Sequence, residues 1–322
     1  MMPNITHQPI HKLSPAKINL FLHITNKRDD GYHNLQSVFR LINLYDTLTF
    51  RQTSQQISAN FSPDNLPIDL SIQQQNGSTQ AITKNLSDNL IARASLALLE
   101  FARNQQKLSI EQISQLPMID IQLTKKLPMG AGLGGGSSNC ATTLTTLNEL
   151  WQLHFSQHEL IQIGANLGAD VPIFVFGQDA IAEGIGERLT PIELPSQRLL
   201  LLMPNSHINT AQLFANADLK RDCPALPHAF LREHKADFTD RLSDNFGNVF
   251  EPIVTLLSQP VHQALQYLQG LASFTNTTPR MTGSGSCVFL PLPMQIKNQI
   301  GEQTLIDWQK NAPCQSVIVD TL

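Results

Sequence analysis

The stretch PMGAGLGGGSS, residues 128–138, governs how the rest of the chain is interpreted. Five of its eleven residues are glycine. So many glycines lower stability through chain entropy unless the backbone must pass close to something. The residues that follow, from about Ser137 to Trp151, predict a helix. A glycine loop that leads into a helix presents free N–H groups and the positive end of the helix dipole, which is typical of a phosphate site.

Other interpretations of this loop are weaker. An ordinary flexible turn capped by serine explains neither the number of glycines nor their position before a helix. The chain lacks G-x-x-x-x-G-K-[ST], so the loop is not a Walker-type P-loop. Gly130, Gly132 and Gly135 do satisfy G-x-G-x-x-G, the pattern of dinucleotide-binding oxidoreductases. There the glycines directly follow a strand, and their helix leads to a strand ending in an acidic residue. Here TKKLPM intervenes and a second helix follows, so this reading stays a remote alternative.

Upstream of the loop, the segment KINLFLHI, residues 17–24, alternates between two faces. A period of two predicts a half-buried strand with Lys17 and Asn19 on the same face, one pleat apart. Asp30-Gly31 predicts a turn before a second strand. Tyr32 and His33 then lie at the mouth of this turn, as packing residues or as ligand contacts.

Between that turn and the glycine-rich loop, the segment 89–101 has helical spacing and IDIQL, residues 119–123, alternates like a strand. Ser156 with Glu159 is a capping-box signature, and the helix that it begins should end at Gly168. Asp170 follows, before Val-Pro, where it could cap a new helical turn or act as a functional carboxylate. TGSGS, residues 282–286, predicts a tight turn that could form a second backbone wall near a phosphate.

Composition narrows the class of protein. The chain has 322 residues, is 41% hydrophobic and 15% charged, and carries a net charge of −4. These values predict a globular protein of about two domains, with neither nucleic acid nor a membrane as its main partner. The predicted strands and helices are interspersed without a regular βαβ rhythm, which favours the α+β class. The four cysteines form no close pair, which favours reduced thiols. With no signal-peptide pattern at the start, we expect a cytoplasmic protein.

Several motifs together resemble the GHMP kinases, the family that includes galactokinase, homoserine kinase and mevalonate kinase. The matching segments are PAKINLFL (15–22), DGYHNLQSVF (30–39), KLPMGAGLGGGSSN (126–139), LGADVPIFVFG (167–177), AEGIGE (182–187) and MTGSGSCVF (281–289). The resemblance implies a ribosomal-S5-domain-2-like N-terminal domain over residues 1–185 and a ferredoxin-like C-terminal domain over residues 186–322.

The resemblance also implies a reaction. ATP, as Mg-ATP, would phosphorylate the 2-hydroxyl of 4-diphosphocytidyl-2-C-methyl-D-erythritol in the non-mevalonate route to isoprenoids. The DGYH and PAKINL segments favour this acceptor over mevalonate or homoserine, which stay as alternatives within the family. A non-catalytic module on the same fold is a further alternative, but loss of Lys17 or Asp170 would be its expected signature, and both are present.

Site residues follow from the same resemblance. Lys17 and Asp170 would be catalytic, with the lysine beside the carboxylate and the metal ligands left unassigned. The ATP phosphates would bind Pro128, Met129, Gly130, Ala131, Gly132, Leu133, Gly134, Gly135, Gly136, Ser137 and Ser138. The acceptor would contact Asn19, Tyr32, His33, Thr210 and Phe214, with Phe214 stacked on cytosine rather than buried as a core residue.

Overall fold

The computed structural model describes residues 8–73, 79–81, 88–292 and 301–322. The strands are β1 Ile10–Lys27, β2 His33–Gln56, β3 Ile68–Gln73, β4 Thr79–Ala81, β5 Pro117–Thr124, β6 Ala180–Gly184, β7 Arg188–Pro191, β8 Arg198–Met203, β9 Arg280–Met281, β10 Val288–Leu292 and β11 Gln315–Asp320. The helices are α1 Leu90–Asn104, α2 Ile110–Ile113, α3 Gly135–Leu150, α4 Gln157–Leu167, α5 Val171–Phe176, α6 Thr210–Ala215, α7 His228–Glu233, α8 Ala236–Thr239, α9 Glu251–Leu257, α10 Gln259–Thr275 and α11 Glu302–Lys310. The predicted α+β class is confirmed.

The chain forms two compact units, and neither is continuous in sequence. The first unit comprises the described parts of Met1–Pro15, Tyr45–Leu127 and Gly135–Phe176. The second comprises the described parts of Ala16–Leu44, Pro128–Gly134 and Gly177–Leu322. The division into sequence domains at 185/186 stays a prediction.

The first unit places helices against a short mixed sheet. Strand β5 pairs in parallel with β3 and antiparallel with the second half of β2, and β3 pairs antiparallel with β4. Helix α3 packs against α1 and α5, and buried apolar side chains such as Leu98, Leu144 and Trp151 fill the core. This packing fixes the N-terminus of α3, where the glycine-rich stretch ends.

The second unit contains a four-stranded antiparallel sheet of order β11-β8-β10-β9. Along the chain its elements run β8, helices, β9, β10, α11, β11, which is the βαββαβ succession of ferredoxin-like folds. The expected ferredoxin-like arrangement is therefore confirmed for the C-terminal part of the chain. The first half of β2 also belongs to this unit, where it pairs with β6, and β6 pairs with β7.

Strand β1 differs from its prediction in one respect. The alternating pattern predicted one buried and one exposed face, but every residue from Ala16 to Ile24 is buried, so both faces of the strand are covered. Phe21, on the same face as Lys17 and Asn19, contacts the rings of Phe238 and Phe246 edge-on. Aromatic side chains from distant segments thus cover the face that local alternation assigned to solvent, so the prediction of a half-buried strand is wrong.

Local signals elsewhere are confirmed. Asn89 caps α1 by accepting from the Ile91 N–H, and Ser156 with Glu159 forms the predicted capping box of α4. Helix α4 ends before Gly168 as predicted, although the φ of 178° at this glycine is extended rather than left-handed. Gly31 has a φ of 87° in the predicted turn.

Strands β3 and β4 lie within the polar stretch of residues 52–85, of which residues 74–78 and 82–87 are outside the described residues. All four cysteines are free thiols. Within the described ranges, no helix combines the length and the apolar character that crossing a membrane would need.

Candidate active site

The predicted lysine–asparagine pair on β1 is formed in the second unit. Lys17 Nζ donates to Asn19 Oδ1 at 2.7 Å, and Asn19 Nδ2 donates to Ser37 Oγ at 2.9 Å. The ammonium group also lies 5.0 Å from the centroid of the Phe39 ring. Lys17 is only 3% exposed, and a buried cation needs such partners to offset its desolvation. The arrangement holds a positive charge at a fixed position.

The first part of the glycine-rich loop, residues 128–134, is tied to this strand. The Lys17 N–H donates to the Leu133 carbonyl at 3.0 Å. Gly130, Gly132 and Gly134 all have positive φ, between 64° and 80°. This conformation favours glycine, because a Cβ would clash with the backbone. The glycines therefore serve the shape of the loop and not only its flexibility.

The turn at Thr282–Ser286 packs directly on this loop. A Cβ on Gly132 would come within 2.3 Å of the Thr282 carbonyl oxygen, and the Cys287 N–H donates to the Ala131 carbonyl at 3.1 Å. The Asn19 N–H donates to Thr282 Oγ1 at 2.9 Å. The two glycine segments are thus neighbours, as the sequence suggested, and both contact the strand that carries Lys17.

A buried asparagine that the sequence analysis did not single out supports the same turn. Asn248 Nδ2 donates to the Met281 carbonyl at 2.9 Å and to the Gly283 carbonyl at 2.8 Å. Its Oδ1 accepts from the Phe250 N–H at 3.0 Å. No local pattern around Asn248 reveals this role, because the two carbonyls that it binds in the turn are more than thirty positions away in the chain.

The second part of the glycine stretch belongs to the first unit. Helix α3 begins at Gly135, where a Cβ would come within 3.2 Å of the Leu127 side chain. Ser14 Oγ donates to the buried Ser138 Oγ at 2.8 Å. The α4–α5 corner also lies near this helix start, because a Cβ on Gly168 would be 3.9 Å from Ser137 Oγ. Asp170 is two residues beyond that glycine, immediately before α5.

The predicted acceptor contacts cluster within the second unit. The rings of His33 and Phe214 stack with centroids 5.0 Å apart and planes inclined by 21°. Phe214 is half-buried and packs edge-on against Phe250, so it is not a fully enclosed core residue. Thr210 Oγ1 and Ser284 Oγ lie 2.9 Å apart, which connects α6 to the Thr282–Ser286 turn. Tyr32 is 62% exposed.

The protonation of His33 follows from its surroundings. Burial lowers the pKa of the imidazole, and the nearby positive charges of Arg221 and Lys27 lower it further. Its Nε2 has no hydrogen-bond partner within the described ranges. A neutral imidazole with one unpaired nitrogen can donate to or accept from a ligand, according to its tautomer.

Helix α6, which carries Phe214, is held at both ends. Asn209 Oδ1 accepts from the Ala211 and Gln212 N–H groups at its start. After its end, Arg221 Nη2 donates to the Phe214 carbonyl at 2.8 Å and to the Asn216 carbonyl at 2.7 Å. A helix of six residues needs such capping, because most of its backbone groups have no partner within the helix. Asn209 and Arg221 therefore fix the helix that carries Phe214, although neither side chain belongs to the aromatic pair.

No group of three or more His, Cys, Asp or Glu side chains that could hold a metal ion is found in residues 8–73, 79–81, 88–292 and 301–322. Mg²⁺ prefers a few carboxylates together with substrate phosphates and water, rather than a cage built by the protein.

Comparisons with known proteins identify the family of this chain. The family model of the GHMP kinases N terminal domain matches residues 89–178, which include the glycine-rich stretch and Asp170. A protein of Psychrobacter cryohalolentis named 4-diphosphocytidyl-2-C-methyl-D-erythritol kinase is 49% identical over 97% of both chains. The chain belongs to the GHMP kinase family, in the branch of that relative.

Further relatives and solved structures support this membership. The Acinetobacter baylyi protein of the same name is 39% identical over 97% of this chain and 95% of its own. A crystal structure of a 4-(cytidine 5'-diphospho)-2C-methyl-D-erythritol kinase superposes with a TM-score of 0.68 at 26% identity, covering 97% of this chain and 99% of that one. The mevalonate kinase of Methanococcus jannaschii, at 14% identity and a TM-score of 0.62 over 99% and 100% of the two chains, shares the fold. Membership in this branch does not favour the oxidoreductase alternative.

Proposed function

We propose that this GHMP kinase transfers the γ-phosphoryl group of ATP to the 2-hydroxyl of 4-diphosphocytidyl-2-C-methyl-D-erythritol. The hydroxyl oxygen bonds to the γ-phosphorus as the bond from that phosphorus to the β,γ-bridging oxygen breaks. The hydroxyl proton passes to a carboxylate and then to solvent. The products are the 2-phosphate and ADP, a step of the methylerythritol phosphate route to isoprenoids, and we expect it to occur in the cytoplasm.

The observation that carries this proposal is the near full-length identity of 49% to a relative named for this activity. The stacked pair of His33 and Phe214 adds support, because a planar aromatic surface is the usual partner of a nucleobase, worth roughly 1–3 kcal/mol per base. A cytidine-bearing acceptor needs such a surface, whereas mevalonate and homoserine have no base to stack.

In this proposal residues 128–138 bind the ATP phosphates. The positive-φ glycines bring backbone close to the nucleotide, and the N-terminus of α3 supplies unpaired N–H groups and a favourable dipole. Mg²⁺ would accompany ATP, held mainly by phosphate oxygens and water, and would neutralise charge on the transferring group.

Asp170 and Lys17 have complementary roles in the proposed reaction. Phosphoryl transfer through a loose transition state requires positioning and charge neutralisation more than a strong base. Asp170 orients the acceptor hydroxyl and takes its proton late. Lys17, held by Asn19 and the Phe39 ring, neutralises negative charge that develops on the phosphoryl group.

The acceptor contacts divide into two groups. Phe214 and His33 would hold the cytosine ring, with Tyr32 covering it from its exposed position. Asn19, which shares the face of Lys17, and Thr210, which lies 2.9 Å from Ser284, would hold the remainder of the acceptor. This division predicts that loss of the stacked rings of His33 and Phe214 raises the KM of the acceptor more than it lowers kcat.

The test is release of ADP by the purified protein with Mg-ATP and one acceptor per reaction. The acceptors are 4-diphosphocytidyl-2-C-methyl-D-erythritol, mevalonate, homoserine and galactose. We expect turnover with the first alone. Turnover with another acceptor instead would overturn the substrate assignment and the roles of Tyr32, His33 and Phe214. Nucleotide binding without turnover of any acceptor would contradict the kinase activity itself.

A further inference from the structure

Asp46 is a fully buried carboxylate with four hydrogen-bond donors around it, all in the first unit. The Lys126 and Leu127 N–H groups donate to its Oδ1 at 2.7 and 2.8 Å. Lys125 Nζ lies 2.5 Å from its Oδ2, and Asn139 Nδ2 donates to the same oxygen at 2.9 Å. Four donors satisfy the oxygens of a carboxylate that would otherwise be costly to bury.

The positions of these donors in the sequence are informative. Residues 125–127 immediately precede the glycine-rich stretch, and Asn139 lies in the first turns of α3, immediately after it. One side chain therefore bonds to both flanks of residues 128–138. Leu127 also contacts Gly135 so closely that a Cβ there would be 3.2 Å from the Leu127 side chain, and the two ends of the loop are thus held at a fixed separation.

We propose that Asp46 is a positioning residue for nucleotide binding. It fixes both ends of the phosphate-binding loop and thereby strengthens the binding of the nucleotide. This proposal rests on the proposed function of residues 128–138. Backbone N–H groups bind phosphate well only when the loop is already in its binding conformation, because ordering it on binding costs free energy. Asp46 supplies that order in advance and touches no reacting atom.

The variant Asp46→Asn separates the two halves of this contact. An amide oxygen at the position of Oδ1 still accepts from the Lys126 and Leu127 N–H groups. The amide nitrogen at the position of Oδ2 faces two other donors, the Lys125 ammonium group and the Asn139 amide, so these bonds are lost. The variant keeps the two backbone bonds to residues 126 and 127, and it releases the Lys125 ammonium group and, on the helix side, Asn139.

The experiment measures the Kd of ADP by calorimetry, the KM of ATP and of the acceptor, and the thermal midpoint. For Asp46→Asn we expect roughly tenfold weaker ADP binding, as for the loss of a charge-assisted hydrogen bond, and a matching rise in the KM of ATP. The KM of the acceptor should change less than twofold. Asn148→Ala is the matched control, because Asn148 makes two hydrogen bonds to the Phe155 backbone elsewhere in the first unit. It should lower the thermal midpoint without changing the Kd of ADP.

A reciprocal pair of substitutions provides rescue. Asn139→Asp alone places a second carboxylate beside Asp46 and should weaken ADP binding. Combined with Asp46→Asn it restores a donor–acceptor pair between the two positions, so we expect part of the ADP affinity to return. An unchanged Kd of ADP in Asp46→Asn would overturn the proposal. An equal loss of ADP affinity in Asn148→Ala, at the same thermal midpoint as Asp46→Asn, would overturn it too, because the effect would then reflect stability alone. Because ADP binding needs no acceptor, this readout stays valid even if the assigned acceptor is wrong.

Discussion

Asp170→Asn preserves the size of the side chain and removes its charge. If the carboxylate orients the acceptor hydroxyl and takes its proton, kcat should fall by about 10²–10⁴-fold, the range typical of a lost general base. The Kd of ATP should change little, since Asp170 acts on the acceptor and not on the nucleotide. Steady-state kinetics and nucleotide calorimetry on the same preparation measure both quantities.

Asp64→Asn is the control for this substitution, because Asp64 is an exposed carboxylate of the same unit. It should leave kcat and the Kd of ATP at their original values. Turnover of Asp170→Asn within a few-fold of the original protein would exclude the catalytic role and leave Asp170 as a helix-capping residue.

The sequence predicted contacts between residues that are close in the chain, but it did not predict contacts between residues that are far apart in the chain. Period-two spacing put Lys17 and Asn19 on one face, and their side chains do form a hydrogen bond. Asp46 and Asn248 were not found, because Asp46 contacts residues 79 to 93 positions away and Asn248 contacts residues 33 and 35 positions away. A single sequence has no periodic signal for such pairings.

Among structural elements, the glycine-rich loop is tightly constrained by its neighbours. Gly132 has a φ of +80°, and a Cβ there would lie 2.3 Å from the Thr282 carbonyl oxygen. Gly132→Ala should therefore lower the free energy of unfolding by more than about 2 kcal/mol, from left-handed strain and from displacement of the Thr282–Ser286 turn. Chemical unfolding measures the loss of stability. The same variant should also bind ADP more weakly, which calorimetry measures as a higher Kd.

Gly270→Ala tests whether any glycine-to-alanine change in this unit has such an effect. Gly270 lies inside α10, and a Cβ there meets nothing within 4 Å. Alanine is the better helix former by about 1 kcal/mol, so this variant should be neutral or more stable. Equal stability of the two variants would show that the loop adapts to a side chain at position 132.

The element type and the alternating burial of β5 were predictable from sequence, but the burial of both faces of β1 was not. The capping box at Ser156 and Glu159 is entirely local, and the structure contains it. The polar face of β1 is buried because Phe238 and Phe246 pack on Phe21. Those rings come from more than 200 positions away, so alternation along the strand could not reveal them.

At the scale of the whole molecule, two buried groups of the second unit give opposite dependences of stability on pH. Burial, reinforced by the charge of Lys220, lowers the pKa of His23 from 6.5 to about 4. The folded state thus disfavours the protonated ring. The stability associated with neutral His23 is present above pH 6.5 and is lost as the pH falls through about 4, a total of about 3 kcal/mol.

Asp179 acts in the other direction. Burial raises its pKa from 3.8 to about 6, although the Arg40 guanidinium lies 3.4 Å away and opposes the shift. Desolvation of the carboxylate exceeds the attraction of the ion pair at this distance. Its contribution is therefore most favourable below pH 3.8 and is lost as the pH rises through about 6, again by about 3 kcal/mol.

Variants at these two positions should separate the opposing contributions. Between pH 7 and pH 5, His23 destabilises the folded protein by about 2 kcal/mol and Asp179 stabilises it by about 1 kcal/mol. His23→Phe should therefore lose less stability over this interval than the original protein, by about 2 kcal/mol, and Asp179→Asn should lose about 1 kcal/mol more. Asparagine can still accept from the Leu41 N–H that Asp179 binds, so its effect reports the charge. Urea unfolding at the two pH values measures the differences. Parallel changes in all three proteins would mean that neither group titrates differently in the folded state.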